Sequence, residues 1–329
     1  MSLRYYFCGG AGINIGKAIC QSPKTAISPG NRDAVFVGLD SSGANDPEGA
    51  FEVCRMPSLN GSDELANGSG KVQSTNYPKA VPFIKDMLSK HVPGAYNVVV
   101  FSTSGGTGGM LAVVLIRELL QLNLPVVAVC ISDHTSVIEM KNSVTTLRNL
   151  ANQTSPSQLD RPIAFIEAIN DNEHTRGQVN KRIINDLNLL SIFLSNNNEE
   201  ADYKDILNLL NYNKVIGVPA SLSRIKFFNK EDAIKYDGKP PVAFCSLFDA
   251  RDNIVPRFAG GGYRVTGVFG VENSVIDAEE MHMTLDHGEA LEELEAKIKA
   301  LDNQQTAKVL AYSRVSDFGG GDSNGMNFD

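Results

Sequence analysis

The chain has 329 residues, 42% of them hydrophobic, and can bury a large core in one large or two moderate domains. Its formal net charge of −8 argues against a surface that coats nucleic acid. No apolar run approaches the roughly 20 residues that a membrane-spanning helix needs, and we expect no signal peptide because the amino terminus lacks an apolar core. The five cysteines are scattered without a CxxC pair, which predicts a reducing, cytoplasmic location and no zinc site.

The first predicted element is a strand that runs into a glycine segment. Residues 5–8 are aromatic or apolar, and a helix is predicted through residue 20. The segment between them contains Gly10, Ala11, Gly12 and Asn14. Glycines let the backbone turn N–H groups toward a ligand, and a helix start adds partial positive charge, so the loop suits a phosphate. For a single loop of this kind, a tight turn without a ligand is the alternative.

A second strand over residues 34–39 ends at Asp40, and a third is predicted over residues 51–56. The Asp40 carboxylate could accept hydrogen bonds from a ribose or hold a metal through water. It could equally cap a turn.

The segment 60–74 is rich in Gly, Ser and Asn and includes Gly70 and Lys71. It is not a Walker loop, because Leu65 stands where the first glycine is needed. An exposed surface loop is the default interpretation.

The strongest pattern begins with a β-branched strand over residues 98–103 and ends with an apolar-periodic helix over residues 110–122. Between them lies a second glycine loop, formed by Ser104, Gly105, Gly106, Thr107, Gly108 and Gly109. Hydroxyl groups of Thr103, Ser104 and Thr107 could add donors to a phosphate site. Two glycine loops at the carboxyl ends of two parallel strands can face one ligand at a switch point.

Strands over residues 125–131 and 163–169 flank a helix over residues 136–151, which carries Glu139 and Asn142 near its beginning. The strands are continuously apolar, as in a sheet that is buried on both faces. Because strands and helices alternate through residue 172, the sequence predicts an α/β fold with a doubly wound parallel sheet.

The longest helical pattern covers residues 175–197 and is apolar on so much of its surface that it should run through a core. Acidic residues follow it, among them Asp202 and Asp205, before a helix over residues 206–210. Carboxylates at a helix start usually complement the helix dipole, and a catalytic role is the alternative.

The second half changes character and predicts a smaller mixed sheet, with strands at 214–218, 242–248, 263–269 and 281–285. A late amphipathic helix follows, with a buried stripe at Leu291, Leu294, Ile298 and Leu301. From residue 316 the chain is mostly Asp, Gly, Ser and Asn, a composition typical of a frayed end or of a tail that folds against a partner. The predicted divisions are a nucleotide-binding domain (1–174), a central core helix (175–198), a second domain (199–302) and a carboxyl-terminal extension (303–329).

This order of parts resembles the tubulin/FtsZ superfamily, and most of all its phage-encoded tubulins. The first loop matches the family pattern GGxGxN, and the second keeps the family's G-G-T-G. Asn170 and Asn180 match two asparagines that contact the base. Asp202 and Asp205 match a carboxylate loop of the form NxDxxD, although Glu200 replaces its asparagine.

The resemblance implies a GTPase that binds GTP or GDP with Mg²⁺ and polymerises into filaments positioning phage DNA in the cytoplasm of the infected bacterium. It assigns both glycine loops to the phosphates and residues 68–71 to the γ-phosphate. It assigns Asp40 and Glu139, with Asn142 nearby, to the ribose or metal. The metal ligands stay undetermined. The tail is expected to make lateral contacts between filament strands.

The length of the core helix adds a step that does not need the family. From Asn180 to the helix end is about 15 residues, or roughly 23 Å. Asn180 and Asp202 therefore cannot both touch one nucleotide within one subunit. If both act on nucleotide, head-to-tail stacking completes each active site, and a contact of that kind that does not close gives a filament.

Two other classes compete with this interpretation. A Rossmann-type oxidoreductase that uses NAD or FAD would explain the first glycine segment and Asp40, but neither the second loop nor the later acids. A filament protein that binds GTP without hydrolysing it is the other alternative, because Glu200 departs from the family pattern.

Overall fold

The structure, a computed structural model, describes residues 3–22, 27, 34–57, 77–171, 173–194, 198–250, 255–258, 260–269, 278–287, 291–300 and 303. Strands of the amino-terminal half lie parallel in the order β3-β2-β1-β4-β5-β6. Their bounds are β1 (Leu3–Cys8), β2 (Ala34–Asp40), β3 (Glu52–Arg55), β4 (Tyr96–Ser102), β5 (Val126–Asp133) and β6 (Ile163–Asn170). The chain order reverses between β1 and β4, and such a switch point opens a crevice at the carboxyl ends of the strands.

Helices cover both faces of this parallel sheet. Apolar side chains of α1 and α5 join the core on one face, and those of α2, α3 and α4 join the core on the other. The bounds are α1 (Gly9–Gln21), α2 (Tyr77–Lys90), α3 (Thr107–Gln121), α4 (Val137–Thr154) and α5 (Arg176–Leu194). This arrangement confirms the predicted doubly wound sheet. None of the described helices combines the length and apolar character needed to cross a membrane.

The same sheet continues through the second half of the chain in the order β6-β8-β11-β9-β10-β7. β8 is parallel to β6, β11 is antiparallel to both β8 and β9, and β10 is parallel to β9. The elements are β7 (Asn198–Glu199), α6 (Tyr203–Leu210), α7 (Asn213–Ile216), β8 (Leu222–Asn229), α8 (Lys230–Ile234), β9 (Ala243–Phe248), β10 (Tyr263–Phe269) and β11 (Glu280–His287). Residues 291–300 are helical, and Leu294 is buried, as the late amphipathic pattern predicts.

Three details of the second half of the chain differ from the sequence-based expectation. Residues 214–218 lie in α7 and the turn that Gly217 forms after it, and the prediction of a strand there was wrong. β8 is absent from the predicted strands, because Arg224 and Lys226 interrupt its apolar pattern. The mixed strands also join the parallel sheet through β6 and β8. The domain boundaries stay predictions.

The glycine segment after β1 differs as well. Residues 9–16 belong to α1 itself, so the helix begins directly at the end of the strand. The predicted loop is therefore the first two turns of a helix.

Candidate active site

A cleft of about 610 Å³ opens at the carboxyl ends of the parallel strands. Its wall is formed by the ends of these strands and by the amino-terminal turns of α1, α3 and α5. Most of the predicted nucleotide-binding residues line it: Gly10, Ala11, Asn14, Asp40, Ser104, Gly105, Gly106, Thr107, Gly108, Glu139, Asn170 and Asn180. The fold thus brings together residues that are far apart in the chain, and their binding roles stay predictions.

Three of the predicted residues lie behind the wall. Gly12 packs against β4, where a Cβ atom would come within 2.4 Å of the Val100 carbonyl oxygen. Gly109 is buried in the first turn of α3. The Asn142 side chain donates a hydrogen bond to the Ser104 carbonyl oxygen at 3.3 Å and so holds the second glycine loop. The predicted contacts of Gly70 and Lys71 lie outside the described residues.

The two glycine segments touch each other, backbone against backbone. A Cβ atom on Gly108 would lie 2.8 Å from the Cys8 carbonyl oxygen, and one on Gly9 would lie 2.8 Å from the Gly108 Cα atom. Gly9 also has a φ of 70°, which favours glycine. The absence of side chains therefore lets α1 and α3 begin side by side at the floor of the cleft.

Both helix starts at the floor lack side-chain caps. Cys8 and Gly106 are the N-cap residues of α1 and α3, and neither side chain accepts a hydrogen bond from the first turn, which contains no acidic residue in either helix. By contrast, Ser136, Asp202 and Asn229 cap α4, α6 and α8. Uncapped N–H groups with the positive end of the helix dipole favour an anion.

The hydroxyl groups near the second loop divide into structural and accessible ones. Thr103 is fully buried, and its Oγ1 lies 2.8 Å from Ser143 Oγ and 3.0 Å from Ser132 Oγ. The predicted donor role of Thr103 is therefore wrong, because these contacts tie β4 to β5 and α4. Ser104 and Thr107 remain on the cleft wall.

Asp40 is engaged by the protein itself. Its Oδ1 accepts a hydrogen bond from the Ser41 N–H at 2.7 Å, and its Oδ2 accepts one from Asn45 Nδ2 at 2.6 Å. Arg55 lies 3.8 Å from the same carboxylate and donates to the carbonyl oxygens of Ser42 and Asn45. Asp40 thus organises the loop after β2 as well as lining the cleft.

The wall also contains charged residues that the sequence did not single out. Asp133 ends β5 and accepts a hydrogen bond from the Thr135 N–H at 2.9 Å. Arg176 is exposed in the first turn of α5. Asp133 could have been predicted from the sequence, because it lies at the carboxyl end of an apolar strand. Glu139, which was predicted, accepts a hydrogen bond from Ser136 Oγ at 2.8 Å.

Cys8 is the one cysteine on the described wall of the cleft. Burial, with the nearby Asp40 charge adding to it, raises the pKa of this thiol far above its usual range. The thiol stays protonated at neutral pH and offers no nucleophile.

Asp202 and Asp205 form a capping box at the start of α6. Asp202 Oδ1 accepts from the Asp205 N–H at 3.0 Å, and Asp205 Oδ2 accepts from the Asp202 N–H at 3.3 Å. This is the structural role that acids at a helix start usually have. Asp202 is nevertheless exposed, and neither residue lines the cleft.

Two distances, taken along separate elements, place these acids near the amino ends of the parallel strands, opposite the cleft. Along α5, Asn180 at the cleft lies about 21 Å from Leu194 at the helix end. Along β4, Ser102 at the cleft lies about 20 Å from Tyr96 at the amino end. Tyr96 donates a hydrogen bond to the Tyr203 carbonyl oxygen at 3.2 Å, next to Asp202. The acids therefore cannot reach the cleft of their own subunit.

Comparison with known proteins agrees with this architecture. No family model matches the chain. A phage tubulin-like protein of Pseudomonas phage PhiPA3 is 25% identical over 288 residues, which are 86% of this chain and 84% of the relative. Among solved structures, a protofilament of TubZ from bacteriophage PhiKZ gives a TM-score of 0.78 at 21% identity and covers 99% of this chain and 95% of that one. A structure of the phage tubulin PhuZ with GDP gives 0.79 at 15% identity, over 93% of this chain and 92% of that one.

Three kinds of observation now point the same way. The sequence has two glycine segments in the family's order, the fold brings both to one switch-point cleft, and the similarity to phage tubulins extends over most of the chain. By its fold and by sequence similarity over most of its length, the chain thus resembles the phage-encoded tubulins of the tubulin/FtsZ superfamily.

Proposed function

We propose that this protein binds GTP in the cleft, hydrolyses it to GDP, and polymerises head-to-tail into filaments in which the next subunit completes each active site. One solved neighbour is a protofilament and another contains GDP, which supports both parts of the proposal. The uncapped starts of α1 and α3 give the cleft the chemistry of a phosphate site.

The observation that carries the proposal is the separation of the acids from the cleft. A head-to-tail contact would bring the exposed end of one subunit, with Asp202 and Asp205, over the cleft of the next. Such a contact is heterologous and continues into a filament unless a rotation closes it. Assembly and hydrolysis would then depend on the same surface.

The cleft also suits Mg²⁺ as the nucleotide's metal. Its described wall holds the carboxylates of Asp40, Asp133 and Glu139 against a single basic side chain, Arg176. Oxygen ligands are those that Mg²⁺ prefers, usually one or two carboxylates together with phosphates. Asp133 and Glu139 would hold the ion, since Asp40 is engaged with its own loop. The ion would neutralise phosphate charge beside these acids.

The chain's own residues would act mainly by positioning, as is usual in phosphoryl transfer. N–H groups at the starts of α1 and α3 would bind the phosphates, and the Asn170 and Asn180 amides would bind the guanine base. Asp202 and Asp205 of the next subunit would accept hydrogen bonds from the attacking water and orient it.

Phosphate release at increasing protein concentration tests this proposal. Turnover of GTP per subunit should stay near zero below a threshold, rise steeply above it, and follow the amount of sedimented filament. Constant turnover per subunit would mean that one subunit holds a complete active site. Filaments without turnover would identify the non-hydrolysing alternative. Flavin or nicotinamide absorbance of the purified protein would identify the oxidoreductase, which the similarity to phage tubulins opposes.

We extend the proposal to the cell by resemblance alone. The relatives are phage proteins, and a filament in the cytoplasm of an infected bacterium would position phage DNA there. Because the net charge is −8, the filament would act on DNA through other components rather than by coating it.

The tail should contribute to assembly. Phe318, Met326 and Phe328 are apolar anchors among acidic residues, and the tail lies outside the described residues. Deletion of residues 317–329 should raise the critical concentration sharply or prevent polymerisation, because the tail is expected to dock on another subunit. GTP affinity of the monomer should not change. Normal filaments from the truncated chain, seen by sedimentation and negative-stain microscopy, would show that the tail is only a frayed end.

A further inference from the structure

Three side chains with metal-binding atoms meet at the edge of the sheet, away from the cleft. The carboxylate of Glu52, the thiol of Cys54 and the imidazole of His91 place one ligand atom each within 4.8 Å of one another. Glu52 and Cys54 alternate with Val53 along β3, so their side chains share one face of this edge strand. His91 follows α2, and its N–H donates to the Met87 carbonyl oxygen at 2.8 Å, which continues the last helical turn.

One of the three separations already fits a tetrahedral site, and the other two lie within 4.8 Å. Zinc bonds of about 2.0–2.3 Å separate neighbouring ligand atoms by roughly 3.3–3.6 Å. His91 Nε2 and Glu52 Oε1 are already 3.5 Å apart. The His91 side chain is only 16% exposed, whereas the Glu52 side chain is 70% exposed and can rotate toward an ion.

A reactive cysteine is a poorer explanation of this cluster. Burial and the Glu52 charge raise the pKa of the Cys54 thiol to about 11, against the opposing effect of Lys90. Such a thiol is protonated at neutral pH and is a weak nucleophile. Lys90 is itself paired with Asp86 at 2.7 Å. A divalent cation would favour the thiolate and neutralise the carboxylate at the same time.

We propose that Glu52, Cys54 and His91 bind Zn²⁺ and leave a fourth coordination position for water. Sulfur and imidazole ligands select zinc over the Mg²⁺ that suits the oxygen-lined cleft. The ion would join edge strand β3 to the end of α2, the two elements that flank residues 58–76 in the chain. The earlier expectation of no zinc site rested on spacing along the sequence, but here a strand and a helix supply the ligands.

Cobalt absorption tests the proposal directly. Co²⁺ added to the full chain with excess Mg²⁺ and GDP should give one equivalent of tetrahedral visible bands and a thiolate-to-cobalt charge-transfer band in the near ultraviolet. Cys54→Ser should abolish the charge-transfer band and weaken Zn²⁺ binding by about tenfold or more. His91→Gln should lose the tetrahedral bands. The control is Cys20→Ser, which changes a half-buried cysteine on α1, outside the proposed site, and should match wild type.

Thermal unfolding gives a second readout. Zn²⁺ should raise the Tm of wild type and of Cys20→Ser, but not that of Cys54→Ser or His91→Gln, because a ligand that binds only the folded state stabilises it. Absence of the charge-transfer band in wild type would overturn the proposal. The same conclusion would follow if the band or the zinc-dependent Tm shift survived in Cys54→Ser.

Discussion

Subunits carrying Asp205→Asn should bind GTP as tightly as wild type but hydrolyse it about 10²-fold more slowly or worse. The carboxylate is too far from its own cleft to affect binding, and it is expected to orient the water in the neighbour's site. An asparagine retains an oxygen that can accept the hydrogen bond from the Asp202 N–H. Asp202→Asn should behave similarly, because asparagine caps a helix as well as aspartate does. Calorimetry and phosphate release measure the two effects separately, and filaments should persist.

A matched cap variant separates catalysis from helix stability. Asn229 caps α8 by accepting a hydrogen bond from the Asp232 N–H at 2.9 Å, and it has no place in the proposed active site. Asn229→Ala should cost about 1 kcal/mol of stability and leave turnover per filament near wild type. If Asp205→Asn weakened GTP binding by the monomer as much as it slowed hydrolysis, the acids would belong to their own subunit's site and the shared site would be wrong.

A mixture of two kinds of defective subunit tests directly whether the active site is shared between neighbours. Asp205→Asn subunits keep an intact cleft, while subunits that cannot bind GTP keep their acids. A mixture should recover some turnover, because the first kind supplies the nucleotide and the second supplies the acids across the contact. Co-sedimentation of both kinds must be shown first. Turnover that stays at the level of Asp205→Asn alone in such mixed filaments contradicts completion in trans.

The sequence was most informative where a pattern has only one physical solution. Continuously apolar strands that alternate with helices require a sheet covered on both faces, and their carboxyl ends must meet at one edge. This is why the two glycine segments could be placed together from the sequence, whereas Asn14, Asp40, Glu139 and Asn180 were assigned to the same ligand by the resemblance to the tubulin/FtsZ superfamily. The distance between Asn180 and Asp202 follows from helix rise alone.

Side-chain partners were not predictable in the same way. Nothing in the sequence distinguishes Thr103, which is buried against α4, from Ser104, which faces the cleft. Arg176 enters the cleft only because α5 begins beside β6. Likewise, Cys54 and His91 look unrelated along the chain, and only the packing of α2 beside β3 brings them together.

Substitution of a glycine in the second loop should also have a large effect, on GTP binding. The surroundings of each glycine in the structure show which one is suitable for the test. A Cβ atom on Gly108 would lie 2.8 Å from the Cys8 carbonyl oxygen, so a side chain there disturbs the contact between α1 and α3. Loss of GTP binding by a Gly108 variant would therefore not distinguish an obstructed phosphate site from a damaged fold.

Gly105 is the better position. Its backbone is not left-handed, and the atoms nearest to a Cβ there belong to Ser102, at an ordinary 3.7 Å. Gly105 itself lines the cleft. Gly105→Val should therefore keep the wild-type Tm within about 2 °C and weaken GTP binding by about 10²-fold or more, as its methyl groups occupy the space of a phosphate. Gly105→Ala adds only one methyl group, so its GTP affinity should lie between those of wild type and Gly105→Val. Calorimetry with GTP beside thermal unfolding measures both quantities, and a stable Gly105→Val subunit with unchanged GTP affinity would exclude this loop from the nucleotide site.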